Sequence, residues 1–482
     1  MFLGIDIGTS AVKALVLDET GSVVASSNAG LDVSRPRPLW SEQDPDDWWR
    51  AVDSAVRVLA EAGHTSRVRA VGLSGQMHGA TLLDDSDRPL RPAILWNDGR
   101  SLEACRRLEE KQPRSRLITG NLAMPGFTAP KVLWLKEHEP DLFSKLRRVL
   151  LPKDYVRLRM TGEAISDCSD ASGTLWLDVE KRRWSAEMLE ACDLDPASMP
   201  SLVEGSDMGG RLRPEVARAW GMEPVPVAGG AGDQAAGAVG AGVVDPGMAS
   251  LSLGTSGVLF AADDRFRSNP DRAAHSFCHA LPERWHQMSV VLSAASCLSW
   301  IASVVGARDE GALLHEIEKA APSDPRLLFL PYLSGERTPH NDPEATGVFV
   351  GLSHDSDRAA LGRAVLEGVA FAFADAQDVL LDAGADFDEV AVIGGGARSE
   401  LWGRILASAL GRTLVYRDSA EVGPALGAAR LARLCLGEGT ISEVCTPPPI
   451  VHTVAPEVAL VDSLSPKLEN FRDTYRRLRL NS

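Results

Sequence analysis

Apolar residues open the chain in three short runs, 2–8, 11–18 and 22–29, broken at Gly8 and at Glu19-Thr20-Gly21; this pattern predicts three strands joined by tight turns. Between 45 and 62 the period lengthens. Trp48, Val52, Ala55, Val56 and Leu59 fall on one stripe behind Pro45, a residue tolerated in a first helical turn, so a helix is expected. Val68-Arg-Ala-Val-Gly-Leu73 predicts another strand, which delivers the chain into the glycine-flanked polar loop Ser74-Gly-Gln-Met-His-Gly-Ala80. Strand ends of this kind are where α/β proteins place ligands. Residues 101–220 carry more helical patterning and more Trp, Pro and Arg, as helical insertions in the first half would. Pro224-Val-Pro-Val-Ala-Gly-Gly-Ala-Gly-Asp233 predicts a buried strand broken by glycines, then a small-residue helix from Gln234 to about Gly242, together forming a hinge region. Beyond it the pattern predicts a long helix over 358–381, a strand at Glu389-Val-Ala-Val-Ile393, a helix from about Glu400, an alanine-rich helix over 423–436 and an amphipathic helix over 466–480.

One element occurs twice. Leu3-Gly-Ile-Asp-Ile-Gly-Thr-Ser10 and Leu251-Ser-Leu-Gly-Thr-Ser-Gly257 each run from a strand into Gly-Thr-Ser and out into a second apolar strand. Each predicts a hairpin whose turn offers backbone N–H groups and hydroxyls to an anion. The offset is about half of the 482 residues, so two related lobes, 1–245 and 246–482, are expected rather than one large barrel. Gly8, Thr9, Ser10, Gly254, Thr255 and Ser256 become the phosphate-binding candidates, with Thr255 nearest a terminal phosphate. The first copy carries Asp6 where the second has Ser252. A carboxylate beside phosphates needs a cation, so Asp6 is a candidate metal ligand; the alternative is a carboxylate facing solvent at a strand end. Lys13 faces the same anion or an exposed strand surface.

The formal net charge of −16 argues against a nucleic-acid or anionic-membrane surface, yet leaves room for an anion held locally by N–H groups and Mg2+. Seven cysteines without C-x-x-C spacing set aside a zinc knuckle and fit a reducing, cytoplasmic compartment. With no leader-like start and no apolar run of ~18 residues, neither export nor membrane spanning is expected.

Asp233 is flanked by residues that lack bulky side chains and opens a helix. It is either an ordinary cap or a carboxylate that accepts a substrate proton, its pKa lowered by the helix N–H groups. His78 can hydrogen-bond a sugar hydroxyl or carbonyl, with Met77 covering an apolar sugar face; a satisfied structural histidine is the alternative. Trp40, Asn97 and Asp98 are candidate pocket walls. Gly394-Gly395-Gly396-Ala-Arg-Ser399 either lets a base and ribose lie against backbone or is a tight turn. It is not the G-x-G-x-x-G fingerprint, and no G-x-x-x-x-G-K-[ST] loop occurs.

Taken in order, Gly4-Ile-Asp-Ile-Gly-Thr-Ser10, Leu39-Trp-Ser-Glu-Gln43, Ser74-Gly-Gln-Met-His-Gly79, Ile94-Leu-Trp-Asn-Asp-Gly-Arg100, Leu151-Pro-Lys-Asp-Tyr155, Gly230-Ala-Gly-Asp233, Leu253-Gly-Thr-Ser-Gly257, Ser334-Gly-Glu-Arg-Thr-Pro339 and Gly394-Gly-Gly-Ala-Arg-Ser399 resemble the FGGY carbohydrate kinases over essentially the whole chain. The resemblance implies an α/β protein of two ribonuclease-H-like lobes of the actin, hexokinase and sugar-kinase type, closing over ATP and a sugar. It implies Asp233 as catalytic base, Asp6 supporting Mg2+ and the phosphates, Thr255 at the transferred group, and Gly395 and Gly396 over the adenosine. Met77 and His78 match the pair that contacts a ketopentose, which implies transfer to the 5-hydroxyl of D-xylulose. Gln234 stands where many ketopentose-using members have Asn. A homodimer is compatible with the resemblance.

Overall fold

The computed structural model of the chain describes residues 1–320, 324–393, 399–418 and 423–479. The first apolar runs form β1 (Phe2–Ile7), β2 (Ala11–Leu17) and β3 (Val23–Gly30), paired as an antiparallel meander. Helix α1 (Pro45–Glu61) starts where Asp44 accepts the Asp46 N–H, with Pro45 in the first turn and the expected Trp48, Val52, Ala55, Val56 and Leu59 stripe buried. On the other side of β1 lies β4 (Ala70–Gly75), in parallel; it runs past Leu73 to include Ser74. After helical insertions that include α2 (Thr128–His138), β5 (Met208–Arg211), β6 (Pro226–Ala228) and the short β7 (Ala231–Gly232) complete a seven-stranded sheet. Helix α3 (Asp233–Ala241) follows directly.

The second half repeats this order. Strands β8 (Ala249–Leu253) and β9 (Gly257–Asp263) form the second hairpin, joined through β10 (His275–Cys278), β11 (Trp285–Val291), β12 (Glu389–Ile393), β13 (Thr413–Arg417) and β14 (Ile450–Val454) into another seven-stranded sheet. β8 lies between antiparallel β9 and parallel β12, as β1 lies between β2 and β4, and β13 and β14 continue the sheet as β6 and β5 do. The expected duplication is therefore one of topology, with a mixed sheet in each half. Other elements depart from the pattern: it does not predict β5, β10, β11, β13 or β14, and the last helix, Val458–Arg479, starts before the expected residue 466 and keeps Pro466 inside. Proline usually marks a first turn, which is why the pattern starts that helix late.

The halves meet through α4 (Pro424–Cys435), which belongs to the second half but lies across β1, β4 and α3 of the first. Glycine makes this approach possible. A Cβ on Gly4 would stand 2.0 Å from the Ala425 carbonyl oxygen, one on Gly72 1.9 Å from that of Ala428, and one on Gly427 1.8 Å from that of Ala236. Arg430 of α4 then donates to the Val239 and Gly240 carbonyls at 2.8 and 3.1 Å, satisfying the C-terminal end of α3. Among the described residues no helix is long and apolar enough to cross a membrane, and the seven cysteines are free thiols.

Gly72→Ala is expected to lower the unfolding midpoint by the equivalent of about 1–3 kcal/mol or more, because backbone must move to admit the methyl group. Gly237→Ala, whose Cβ would meet only Pro424 Cγ at 3.9 Å, is expected to be neutral or mildly stabilising through helix propensity. Denaturant melts of both variants test the crossing, and equal midpoints would contradict it.

Candidate active site

Three parallel strands, β1, β4 and β7, end at the same edge of the first sheet. Asp6 is in register with Ser74, and Ser74 with Ala231; Ile7, Gly75 and Gly232 form the next row. From this edge the chain leaves as the Gly8-Thr9-Ser10 turn, as the Gln76-Met77-His78 loop and as Asp233. Across the hairpin Asp6 is opposite Lys13. One oxygen of Asp6, Oδ1, is buried without a hydrogen-bond partner. Burial pushes the Asp6 carboxyl up to about 6, with Ser74 and Lys13 pulling the other way.

Asp233 is the first residue of α3, and Gly232 occupies the cap position. Burial and then the negative charge of Asp6 push its pKa up to about 7, against hydrogen bonds from Gln234. The expected lowering is therefore corrected: the helix N–H groups are outweighed by desolvation and a second carboxylate. Two such carboxylates invite a proton or a cation between them.

Met77 and His78 sit beside this pair. Met77 fills the space over two glycines, since a Cβ on Gly232 would fall 2.8 Å from its Cγ and one on Gly173 would fall 3.0 Å from its Cε. His78 has a left-handed backbone, φ 69°, which is unfavourable for a residue with a Cβ. Its carbonyl accepts from Thr128 Oγ1 at 3.1 Å and Lys131 Nζ at 2.8 Å, while its ring Nδ1 lies 2.6 Å from the Gly173 carbonyl. A carbonyl only accepts, so Nδ1 carries the proton and Nε2 remains an acceptor. Burial, with the nearby charges of Lys131 and Arg337, pushes the imidazole down to about 3, which keeps it neutral.

The residues behind these loops were not foreseen. Lys131 is fully buried in α2, also donates to the Gly126 carbonyl at 2.7 Å, and is pushed down by burial to about 7. Its signal in the sequence is a lysine inside the apolar run Thr-Ala-Pro-Lys-Val-Leu-Trp. Lys153, in the Leu151-Pro-Lys-Asp-Tyr155 motif, is inaccessible among Asp154, Asp167 at 2.7 Å and Asp170 at 3.3 Å. Burial holds Asp170 well above the usual carboxylate range. From this cluster Ser169, which donates to Asp167, accepts the Gly232 N–H at 3.2 Å, and neighbouring Arg157 donates to the carbonyls of Ala228 at 2.8 Å and Gly229. The backbone before Asp233 is thus held from behind.

The other candidates divide. Asp98 is inaccessible, its oxygens taking the Ser41 N–H at 2.6 Å and the Arg100 guanidinium at 2.7 Å, so it braces the wall rather than lining the pocket. Trp40 packs under Arg100 at 3.5 Å, and Asn97 is exposed. The Thr9 hydroxyl donates to Gln76 Oε1 and accepts from Trp96 Nε1, each at 3.0 Å, tying the turn to the histidine loop; half-exposed Trp96 had not been singled out. Ser10, Thr255 and Ser256 are exposed, and Gly8 and Gly254 are partly so. The second turn is docked by its carbonyls: Thr255 accepts from Ala294 N–H at 3.0 Å and Ser296 Oγ at 2.8 Å, and Gly254 from Ala295 N–H at 2.8 Å. Gly395 and Gly396 lie outside the described residues. Ser399 caps Glu400–Leu410, its hydroxyl accepting the Trp402 N–H at 3.2 Å.

Known proteins share this sequence and fold. Residues 1–240 match the N-terminal domain and 249–434 the C-terminal domain of the FGGY family of carbohydrate kinases. The chain is 55% identical over 479 residues to the xylulose kinase of Escherichia coli K12, covering 99% of both, and 54% identical to that of Klebsiella pneumoniae, again covering 99% of both. A crystal structure of a xyloylose kinase from Brucella ovis superposes with a TM-score of 0.97 at 48% identity, over 100% of each chain. With both domains matched in order and the two carboxylates meeting at one strand edge, the chain belongs to the FGGY family of carbohydrate kinases.

Proposed function

We propose that the protein is an ATP-dependent xylulose kinase that transfers the γ-phosphoryl group of ATP to the 5-hydroxyl of D-xylulose. The observation that carries this reading is the pairing of Asp233 and Asp6 at one strand edge beside a neutral, acceptor-bearing His78, in a chain 55% identical to a xylulose kinase over nearly its full length. Phosphoryl transfer asks little covalent chemistry of the protein; positioning and charge stabilisation do most of the work. Asp233 is placed to take the hydrogen bond of the sugar hydroxyl and then its proton as the new bond forms. A carboxylate titrating near 7 is matched to that task.

Asp6 fits a divalent ion. Its Oδ1 is unpartnered, and among the described residues no cluster of three His, Cys, Asp or Glu side chains is arranged to hold a metal. Mg2+ characteristically takes one or two carboxylates and completes its shell with water and phosphate oxygens. When bound it would offset charge on the phosphates. The turn at Gly254, Thr255 and Ser256 suits phosphate through exposed Thr255 and Ser256, the Gly254 N–H being taken by the Ser256 carbonyl at 3.1 Å, and the turn at Gly8, Thr9 and Ser10, with Lys13, lies beside Asp6. Met77 forms the sugar-side wall and His78 accepts from a sugar hydroxyl. The −16 net charge makes a nucleic-acid partner a poor fit, and seven free thiols suit a reducing cytoplasm.

Asp233→Asn is expected to keep its fold and lose about 10²- to 10⁴-fold in turnover. The same variant should be more stable than the parent above pH 7. The folded carboxyl gives up its proton near 7 and the unfolded one at about 4, so parental stability falls as pH rises between these values and then levels. The Asn advantage, on the order of 1–2 kcal/mol after allowance for partial exposure, should disappear below about pH 4. Melting both proteins from pH 4 to 8 tests this, and a pH-independent difference would contradict it.

Asp6→Ala is expected to damage magnesium-dependent transfer more than sugar binding. Calorimetry that found xylulose affinity lost, with normal MgATP kinetics, would place Asp6 elsewhere. His78→Ala should raise the KM for D-xylulose several-fold to about tenfold, the loss of one buried hydrogen bond, with a much smaller effect on MgATP. Kinetics with each substrate varied separately decide between this and a purely structural histidine.

A further inference from the structure

We propose that Arg337 is a specificity-determining residue that reads the carbonyl end of the acceptor sugar from the second half of the chain, opposite in hydrogen-bonding sense to His78. This rests on the reading of the protein as a ketopentose kinase. Arg337 follows Glu336, whose Oε1 accepts the N–H of Leu292 at 2.9 Å and of Arg337 itself at 2.8 Å. Glu336 is buried, and burial pushes its carboxyl up to about 8, against the charge of Arg337. Among the described residues no carboxylate forms an ion pair with Arg337. Among the described residues its side chain makes one hydrogen-bond contact, a long one from Nη1 to His275 Nε2 at 3.5 Å. Arg337 is nonetheless partly exposed, as His78 is.

An aromatic wall connects the two residues. His275 stacks on Phe277 at 5.6 Å and meets Phe127 edge-on at 5.5 Å, and Phe127 meets the His78 ring edge-on at 4.9 Å. The Arg337 charge reaches His78, whereas Asp233 is set by burial, Asp6 and Gln234. The contact with His275, and through Phe127 with the His78 ring, puts the guanidinium on the His78 side of the site.

Chemistry then assigns the partner. A guanidinium only donates, and the free Nε2 of a neutral His78 only accepts. The end of a ketopentose remote from its 5-hydroxyl carries a carbonyl oxygen, which only accepts, next to a hydroxyl, which donates. A site that pairs Arg337 with the carbonyl and His78 with a hydroxyl favours a ketose over the corresponding polyol, because reduction removes the acceptor that best suits a charged donor.

The test uses the full-length parent protein and Arg337→Ala, Arg337→Gln and Arg337→Lys, each assayed with D-xylulose and with D-arabinitol, its 2-reduced counterpart. Arg337→Ala and Arg337→Gln are expected to raise the KM for D-xylulose about 10- to 100-fold while the KM for MgATP changes less than about threefold. The ratio of kcat/KM for ketose over polyol should fall by a similar factor, and Arg337→Lys should recover part of it. An unchanged xylulose KM in the folded variants, or an equal loss on both acceptors, would overturn the role of Arg337. If Arg337→Ala does not fold, the Gln and Lys variants carry the same comparison. Parent protein inert toward xylulose would instead overturn the kinase reading on which the proposal rests.

Discussion

The crossing of α4 over β1, β4 and α3 is the contact on which the rest of the structure depends, because no side chain separates the backbones there. Where carbonyl oxygens stand about 2 Å from the positions of missing Cβ atoms, as at Gly4, Gly72 and Gly427, alignment cannot be adjusted by repacking side chains. The crossing also places α3. Arg430 holds the C-terminal carbonyls of that helix from the second half, while the Ser169 and Arg157 contacts hold the backbone just before its N-terminus. Asp233, the first residue of α3, is thereby fixed against its own sheet by a helix that belongs to the other.

Electrostatics adds a second constraint. Asp6 and Asp233 are each pushed up by burial, and the charge of Asp6 raises Asp233 further. The fold relieves this in part, through Lys13 and Ser74 beside Asp6, while the buried cation Lys153 is engaged by Asp154, Asp167 and Asp170, and Lys131 is turned toward the His78 and Gly126 carbonyls. An unpartnered carboxylate oxygen and a second carboxylate near neutrality leave the free protein less stable at this edge than a polar, uncharged pair would. A site built this way gains most from the ligand that brings positive charge to it.

Local pattern carried much of this into view. The duplicated hairpin, the strand after α1, the Asp233 helix and the long helix at Arg358–Asp382 follow from hydrophobic period and from glycine and proline punctuation, and they appear where that pattern puts them. Met77, His78 and Asp233 could be named because each follows a strand and is flanked by glycine. Lys131, Gly173 and Ser169 were not, because their contacts exist only across long sequence separations: the Gly173 carbonyl meets the ring of His78 from 95 residues away, and Lys131 reaches the His78 carbonyl across 53. Asp98 shows the converse. Its motif suggested a pocket residue, but only tertiary structure reveals that Ser41 and Arg100 already occupy its oxygens.

The two hairpins share a topology, and their differences explain why one half has the acidic chemistry. In the first sheet the central position is Asp6, with Lys13 opposite on one neighbour and Ser74 on the other. In the second it is Ser252, between Val258 and Ile393. The same backbone row is thus ionic and polar in one half and largely apolar in the other. The turns differ in the complementary way. Thr9 has its hydroxyl tied to Gln76 and Trp96, whereas Thr255 is exposed on a turn braced through its carbonyls. Carbonyls used for bracing, one of them the Ser256 carbonyl that takes the Gly254 N–H at 3.1 Å, leave the exposed hydroxyls of Thr255 and Ser256 facing outward. Duplication supplied two strand edges of one topology, and a few side chains made one acidic and left the other ending in an exposed turn of hydroxyls.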